Sequence, residues 1–138
     1  MFRRPFLLSA LAVLTCLLLA VFGLAIMLVE PSNAAREDWA YKLGFPDGAK
    51  DIPLFDSCEA ARFSHSGRDG EAPPATEITF RSNETASELN GFYRDYLGGL
   101  GCPADNLADT MCNARSYSIQ IEEEGSCRAV KIFVVGDF

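Results

Sequence analysis

The sequence predicts an α+β fold: a two-layer sandwich, with one main helix on a small, mostly antiparallel sheet, after an N-terminal transmembrane helix. Three observations carry that expectation. Residues 6–29 form an uncharged run long enough to cross a bilayer. Residues 85–101 repeat apolar side chains with the period of one helix face. Residues 76–81 and 115–123 alternate apolar and polar side chains with the period of a strand. The expected organisation is an anchor over 1–29, a spacer over 30–50 and an exported α+β domain over 51–138.

The N-terminal run comes first. Arg3 and Arg4 precede it, and Glu30-Pro31 closes it. A secretory signal has an apolar stretch of roughly 7–15 residues, whereas a spanning helix needs about 20. The run here holds 24 residues, which favours an uncleaved single-pass anchor. The arginines keep the N-terminus in the cytoplasm by the positive-inside rule, so the rest is exported. The expected location is a bacterial inner membrane, with the C-terminal domain in the periplasm or outside the cell. Cleavage is the alternative. Ser32-Asn33-Ala34 carries small residues where a signal peptidase reads, and Ala35 follows. Cys16 is expected to be an ordinary apolar residue of the helix, because Thr15 stands before it and a long apolar run follows it.

Residues 30–138 hold all 19 acidic residues and 10 of the 12 basic ones, a net charge of −9. That balance argues against nucleic acid and anionic lipid surfaces as partners. It suits a soluble domain standing off the membrane, and a basic partner would complement it.

The spacer reads Trp39, Tyr41, Leu43 and Phe45 alternating with Ala40, Lys42 and Gly44. A short strand and an aromatic patch near the headgroups both fit this pattern. A short helix or extended segment packed on the domain is preferred, since Phe45-Pro46-Asp47-Gly48 forms a turn. Asp51 to Phe55 is extended around Pro53. Residues 58–66 are expected as a strand, 67–74 as a loop, and 76–81 as a strand with Thr76, Ile78 and Phe80 on one face. In the main helix, Leu89, Phe92, Tyr93, Tyr96, Leu97 and Leu100 share the core face. Thr85 and Glu88 form a capping box, and Gly98 and Gly99 are expected to end the helix. Gly91 is expected to allow a close approach of helix to sheet. Residues 101–114 read as irregular. Tyr117, Ile119 and Ile121 alternate along the next strand, Glu124-Gly125-Ser126 turns the chain, and 127–135 returns. Val130, Ile132 and Val134 form one face of that last strand, and Ala129, Phe133 and Val135 make the other partly apolar, so it is expected to be central.

Four cysteines in a small exported domain read as two disulfides. In the expected hairpin Cys127 lies opposite roughly Glu122, too far along the strand to reach Cys112. The expected bonds are therefore Cys102–Cys112, closing a short irregular loop, and Cys58–Cys127, closing a long one.

The chain resembles small exported bacterial α+β domains of unknown function at Ile52-Pro53-Leu54-Phe55, Thr79-Phe80-Arg81-Ser82, Phe92-Tyr93-Arg94 and Leu97 through Gly101. The resemblance covers about residues 51–135. It departs at Gly101-Cys102, where those domains have Gly-Trp. It implies the fold and adds almost nothing about activity.

No residue set frames a catalytic centre. His65 stands between Ser64 and Ser66 without a nucleophile elbow, and is expected as an exposed structural histidine. Glu122, Glu123 and Glu124 alternate sides on a strand and do not converge on a metal ion. Asn83-Glu84-Thr85 is a glycosylation sequon whose Thr85 already serves as a cap. Phe92, Tyr93 and Tyr96 are expected in the core, not in a ligand pocket. The expectation is a membrane-anchored exported domain that binds a protein, with no catalytic activity, metal or cofactor. The alternatives are an inhibitor or immunity protein that masks a toxic enzyme, and a small hydrolase using His65.

Overall fold

The computed structural model describes residues 4–27, 29–68, 70–103, 105–123, 125 and 127–138, without the side chains of 4–11 and 26–27. The elements are α1 (Arg4–Met27), α2 (Trp39–Gly44), α3 (Asp47–Lys50), β1 (Arg62–Ser66), β2 (Ala75–Ser82), α4 (Ala86–Gly99), β3 (Thr110–Cys112), β4 (Arg115–Glu122) and β5 (Arg128–Val135). This is an α+β fold with a five-stranded antiparallel sheet in the order β1-β2-β5-β4-β3.

Alternation decides which side of the sheet is covered. Thr76, Ile78, Phe80 and Ser82 of β2 are buried, as are Val130, Ile132 and Val134 of β5 and Tyr117 and Ile119 of β4. The register sets Ile78 beside Ile132 and Ile132 beside Ile119, so these residues form one continuous apolar face. β5 is central because it pairs on both edges. Its second face is not buried, and Phe133 remains 36% exposed.

The edge strand β3 lies in a stretch read as irregular. It is three residues long and is held by the turn at Asn113 and Ala114, which both have positive φ, 50° and 61°. Two such residues between paired Cys112 and Arg115 make a type I′ hairpin. The usual glycine is absent, so the sequence carries no strong hairpin signal here.

Helix α4 begins with the expected reciprocal cap. The Glu88 amide donates to Thr85 Oγ1 at 3.2 Å, and the Thr85 amide donates to Glu88 Oε2 at 3.0 Å. Leu89, Tyr93 and Leu97 are completely buried. The Tyr93 hydroxyl donates to the Pro53 carbonyl at 2.9 Å, tying the 51–55 segment to the helix; that segment is not extended throughout, since Asp51 closes α3 in the right-handed helical region. Phe92 and Tyr96 are only partly buried at the margin of this stripe. Phe92 stacks on Phe55, with ring centroids 4.2 Å apart.

Three details of the helix differ from expectation. Leu100 is not a core residue: it is the C-cap, outside the helix, and 41% exposed. Gly98 and Gly99 are helical, and the left-handed residue is Gly101 at φ 78°. The Gly101 amide donates to the Gly98 carbonyl and the Cys102 amide to the Leu97 carbonyl, which is a Schellman closure. At Gly91 a Cβ would meet nothing within 4 Å, so no close approach to the sheet depends on it.

The stretch 30–50 contributes Ala34, Tyr41, Phe45 and Ala49 to the same core. Tyr41 and Phe45 are one helical turn apart and pack around Phe63 at centroid distances of 4.5 and 5.2 Å. Just before α2, residues 30–34 run along the β1 edge. The Ala34 and Phe63 amides and carbonyls bond reciprocally at 2.8 and 2.9 Å, and the His65 amide donates to the Pro31 carbonyl. The exposed edge of β1 is thereby capped.

Two disulfides complete the fold. Cys58–Cys127 joins Cα atoms 6.7 Å apart, and Cys102–Cys112 joins Cα atoms 5.3 Å apart. The first links the segment before β1 to the start of β5. The second fixes the Schellman turn of α4 to β3. Such bonds point to an oxidising, exported compartment. Among the described residues no helix is long and apolar enough to cross a membrane. The expected span over 6–29 lies partly outside the described side chains. Those described on α1, residues 12–25, rise about 21 Å against a bilayer core of about 30 Å.

Burial ranks the helix substitutions. Tyr93→Phe should cost about 1–3 kcal/mol, because the Pro53 carbonyl loses its donor. Leu97→Ala should cost about 2–5 kcal/mol, and Arg94→Ala under about 0.5 kcal/mol. Gly91→Ala should stabilise by about 1 kcal/mol, since the methyl meets no neighbour. Denaturant unfolding of the four variants checks the order, and a destabilising Gly91→Ala would show a contact at that position.

Candidate functional site

Helices α2, α3 and α4 share one core with the sheet, and among the described residues the opposite face of the sheet stays open. Its residues come from the alternate positions of β1, β2, β5 and β4. One row across the strands reads Arg62, Thr79, Lys131 and Gln120. The next reads Ser64, Glu77, Phe133 and Ser118. Arg81, Ala129 and Glu122 make a third, shorter row. The Lys131 ammonium reaches the Glu77 carboxylate diagonally at 3.1 Å, and Arg81 lies 3.8 Å from Glu59. Both pairs are partly solvated and contribute little stability on their own.

Two shallow recesses lie on this face. One of about 340 Å³ includes Glu59, Arg62, Thr79, Arg81, Glu122 and Lys131 among its lining residues. The other, about 350 Å³, is bordered by Glu30, Pro31, Ser64, His65, Glu77 and Phe133. The Glu77–Lys131 pair sits between them, since each recess takes one of its two members. Carboxylates and cations are nearly balanced around the two recesses: Glu30, Glu59, Glu77 and Glu122 against Arg62, Arg81 and Lys131. Most of the net charge of −9 over residues 30–138 is therefore carried elsewhere. Phe133 provides an apolar spot within this balanced field. What the arrangement offers chemically is recognition: donors, acceptors and one aromatic ring on a rigid sheet.

His65 is half-buried, not fully exposed as expected. Its Nδ1 lies 2.9 Å from Thr76 Oγ1, and Thr76 is only 1% exposed. That hydroxyl is closed to a substrate, so the pair is an internal hydrogen bond at the sheet edge. Burial pushes the His65 pKa below 6.5, against the opposing charge of Glu30 and a backbone hydrogen bond at Ala75.

The other sequence candidates are spread over the fold. Tyr93 lies in the core, and burial moves its hydroxyl ionisation well above the usual phenol range. Thr85 serves the α4 cap, and Asn83 is exposed on the turn before it. Glu122 is at the end of β4 on the open face, Glu123 follows it, and Glu124 lies outside the described residues. Among the described residues no group of three or more His, Cys, Asp and Glu side chains is placed to hold a metal ion.

Sequence reasoning did not single out Arg62, Glu77, Thr79 or Lys131. They occupy the polar positions of alternating strands, which read as solvated whatever they do. The apolar residues on the second face of β5 were the available signal. It marked a central strand, and the aromatic ring at Phe133 lies on its uncovered side.

His65 is the single histidine of the chain, so its titration can be followed without ambiguity. Its folded pKa is depressed, so the unfolded chain binds more protons between the folded value and 6.5. Stability should be fully present above pH 6.5 and decline as the pH falls through that window. His65→Gln should flatten this part of the stability profile. An imidazole titrating at or above 6.5 by NMR would contradict the packing around it.

Comparison with known protein families, curated proteins and solved structures gives no match for this chain.

Proposed function

We propose that this protein is a single-pass, membrane-anchored domain on the outer side of a bacterial inner membrane, and that it binds a protein partner through the open face of its sheet. The observation that carries the binding reading is the uncovered face of mixed charge around Phe133. A sheet face left without a covering layer, with an aromatic centre and a polar surround, has the anatomy of a small recognition surface. Its charge balance favours a partner of mixed polarity over a strongly basic one.

The anchor reading is supported by α1. Its apolar side chains are exposed on every side, with Val13, Leu14, Leu17, Leu18, Leu19, Val21, Phe22 and Leu24 each 54–66% accessible. A helix whose described side chains are apolar and largely exposed is suited to lipid. The two disulfides agree with export.

Site-specific photo-crosslinking in cells tests the binding face. A photoreactive residue replacing Phe133 should give a discrete adduct that weakens when Lys131→Glu is added. The same probe replacing Arg94, on the exposed side of α4, should not. Equal adducts from both positions would refute the assignment of the face. A reporter active only after export, fused after Phe138, should be active, and a reporter restricted to the cytoplasm should be silent.

A further inference from the structure

The short helix α2 and its C-cap carry two apolar pairs four residues apart, and they point in different directions. Tyr41 and Phe45 enter the core. Trp39 and Leu43 do not: they are 64% and 56% exposed. They are not isolated. Trp39 and Leu43 join Phe22, Ala25 and Val29 to line a groove of about 340 Å³. All five residues are apolar, and three of them belong to α1 or its immediate exit.

The join between α1 and α2 is close-packed. A Cβ on Gly44 would collide with the Val29 carbonyl oxygen and would stand 2.9 Å from Pro31 Cδ. Only glycine lets the chain leaving α1 lie directly on the last turn of α2. The position of Trp39 and Leu43 beside the end of α1 is thus built into the backbone.

We infer that Trp39 and Leu43 insert into the outer interfacial layer of the bilayer, so that α2 is a second membrane contact that sets the orientation of the domain. The inference rests on the anchor reading above. Phe22, Ala25 and Val29 lie within the final eight residues of the apolar run, seven steps that correspond to about 10 Å at a helical rise of 1.5 Å per residue. An amphipathic element at an interface buries its apolar side by about 5–10 Å, the same depth. Tryptophan is favoured there because its ring is amphipathic. The groove is continuous with a helix surface that lipid itself would cover, and this continuity identifies the occupant as lipid.

The acidic charge of the domain does not oppose this contact as strongly as its total suggests. Two nearby carboxylates are turned to the protein. Asp38 Oδ2 accepts from the Ala35 amide at 2.7 Å, and Glu30 Oε1 accepts from the Gly67 amide at 2.7 Å. The domain therefore rests on the membrane through α2 and does not stand off it.

Trp39 is the chain's single tryptophan, so its fluorescence reports this contact directly. The full chain is reconstituted into phosphatidylcholine vesicles, some carrying bromine on the acyl chains near the headgroups and others near the bilayer centre. The expected result is flotation with the vesicles, a blue-shifted emission, and greatest quenching by bromine near the headgroups. Gly44→Ala, which forces α2 from the α1 exit, should reduce that quenching while flotation persists. Leu43→Ser, which leaves Gly44 intact, should reduce it less. A chain that stays in the aqueous phase overturns the anchor and this inference together. A chain that floats with Trp39 open to acrylamide and untouched by brominated lipid overturns the inference and leaves the anchor standing. Emission shielded from both quenchers shows a second copy or another protein over the groove, and also overturns it. So does quenching that neither variant changes.

Discussion

Every other feature depends on one constraint: only one face of the five-stranded sheet is covered. Ile78, Ile132 and Ile119 lie side by side on that face, and the apolar stripe of α4 joins the same core. Tyr41, Phe45 and Ala49 from the N-terminal stretch enter it as well. For a domain this small, burying side chains from before and after the strands in one core is the main source of stability. The consequence is an opposite face with no cover, where Phe133, Lys131 and Glu77 meet solvent.

The remaining links fix the ends of that arrangement. Tyr93 holds the 51–55 segment to α4 through the Pro53 carbonyl. The Cys102–Cys112 bond joins the Schellman turn to the short edge strand, which three residues alone would hold weakly. At the other edge, residues 30–34 cap β1 by backbone pairing. That pairing bears on the proposed function because it holds residues 30–34, which follow α1, against β1. Glu30 and Pro31 border both the α1 exit and the recess beside Phe133. The proposed binding face therefore begins at the point where the chain leaves the proposed anchor.

The strands with strict alternation were legible in the sequence. Thr76, Ile78 and Phe80, and Tyr117 and Ile119, needed only the period of two. The α4 cap was legible because Thr85 and Glu88 have a spacing with one local use. Other parts were obscured for definite reasons. Two helical pairs offset by two residues, Trp39 with Leu43 and Tyr41 with Phe45, imitate the alternation of a strand. The hairpin at Asn113-Ala114 uses left-handed backbone without glycine, so it gives no turn signal. Leu100 continues the apolar spacing of α4 past the place where the helix stops, because periodicity does not register the closure set by Gly101. The candidate site was the least legible part. Exposed strand residues are polar whether or not they bind anything, and only the covering of the other face makes these notable.

Hydroxyl-radical footprinting of the purified full-length protein tests the one-faced sheet most directly, because it reads the exposure of individual aromatic side chains. Phe133 should be oxidised readily, while Phe63, Phe80 and Tyr93 should be protected until the domain unfolds. Protection of Phe133 together with rapid oxidation of Phe63 or Phe80 would show that the helices cover the other face, and would contradict the arrangement on which the proposed function rests.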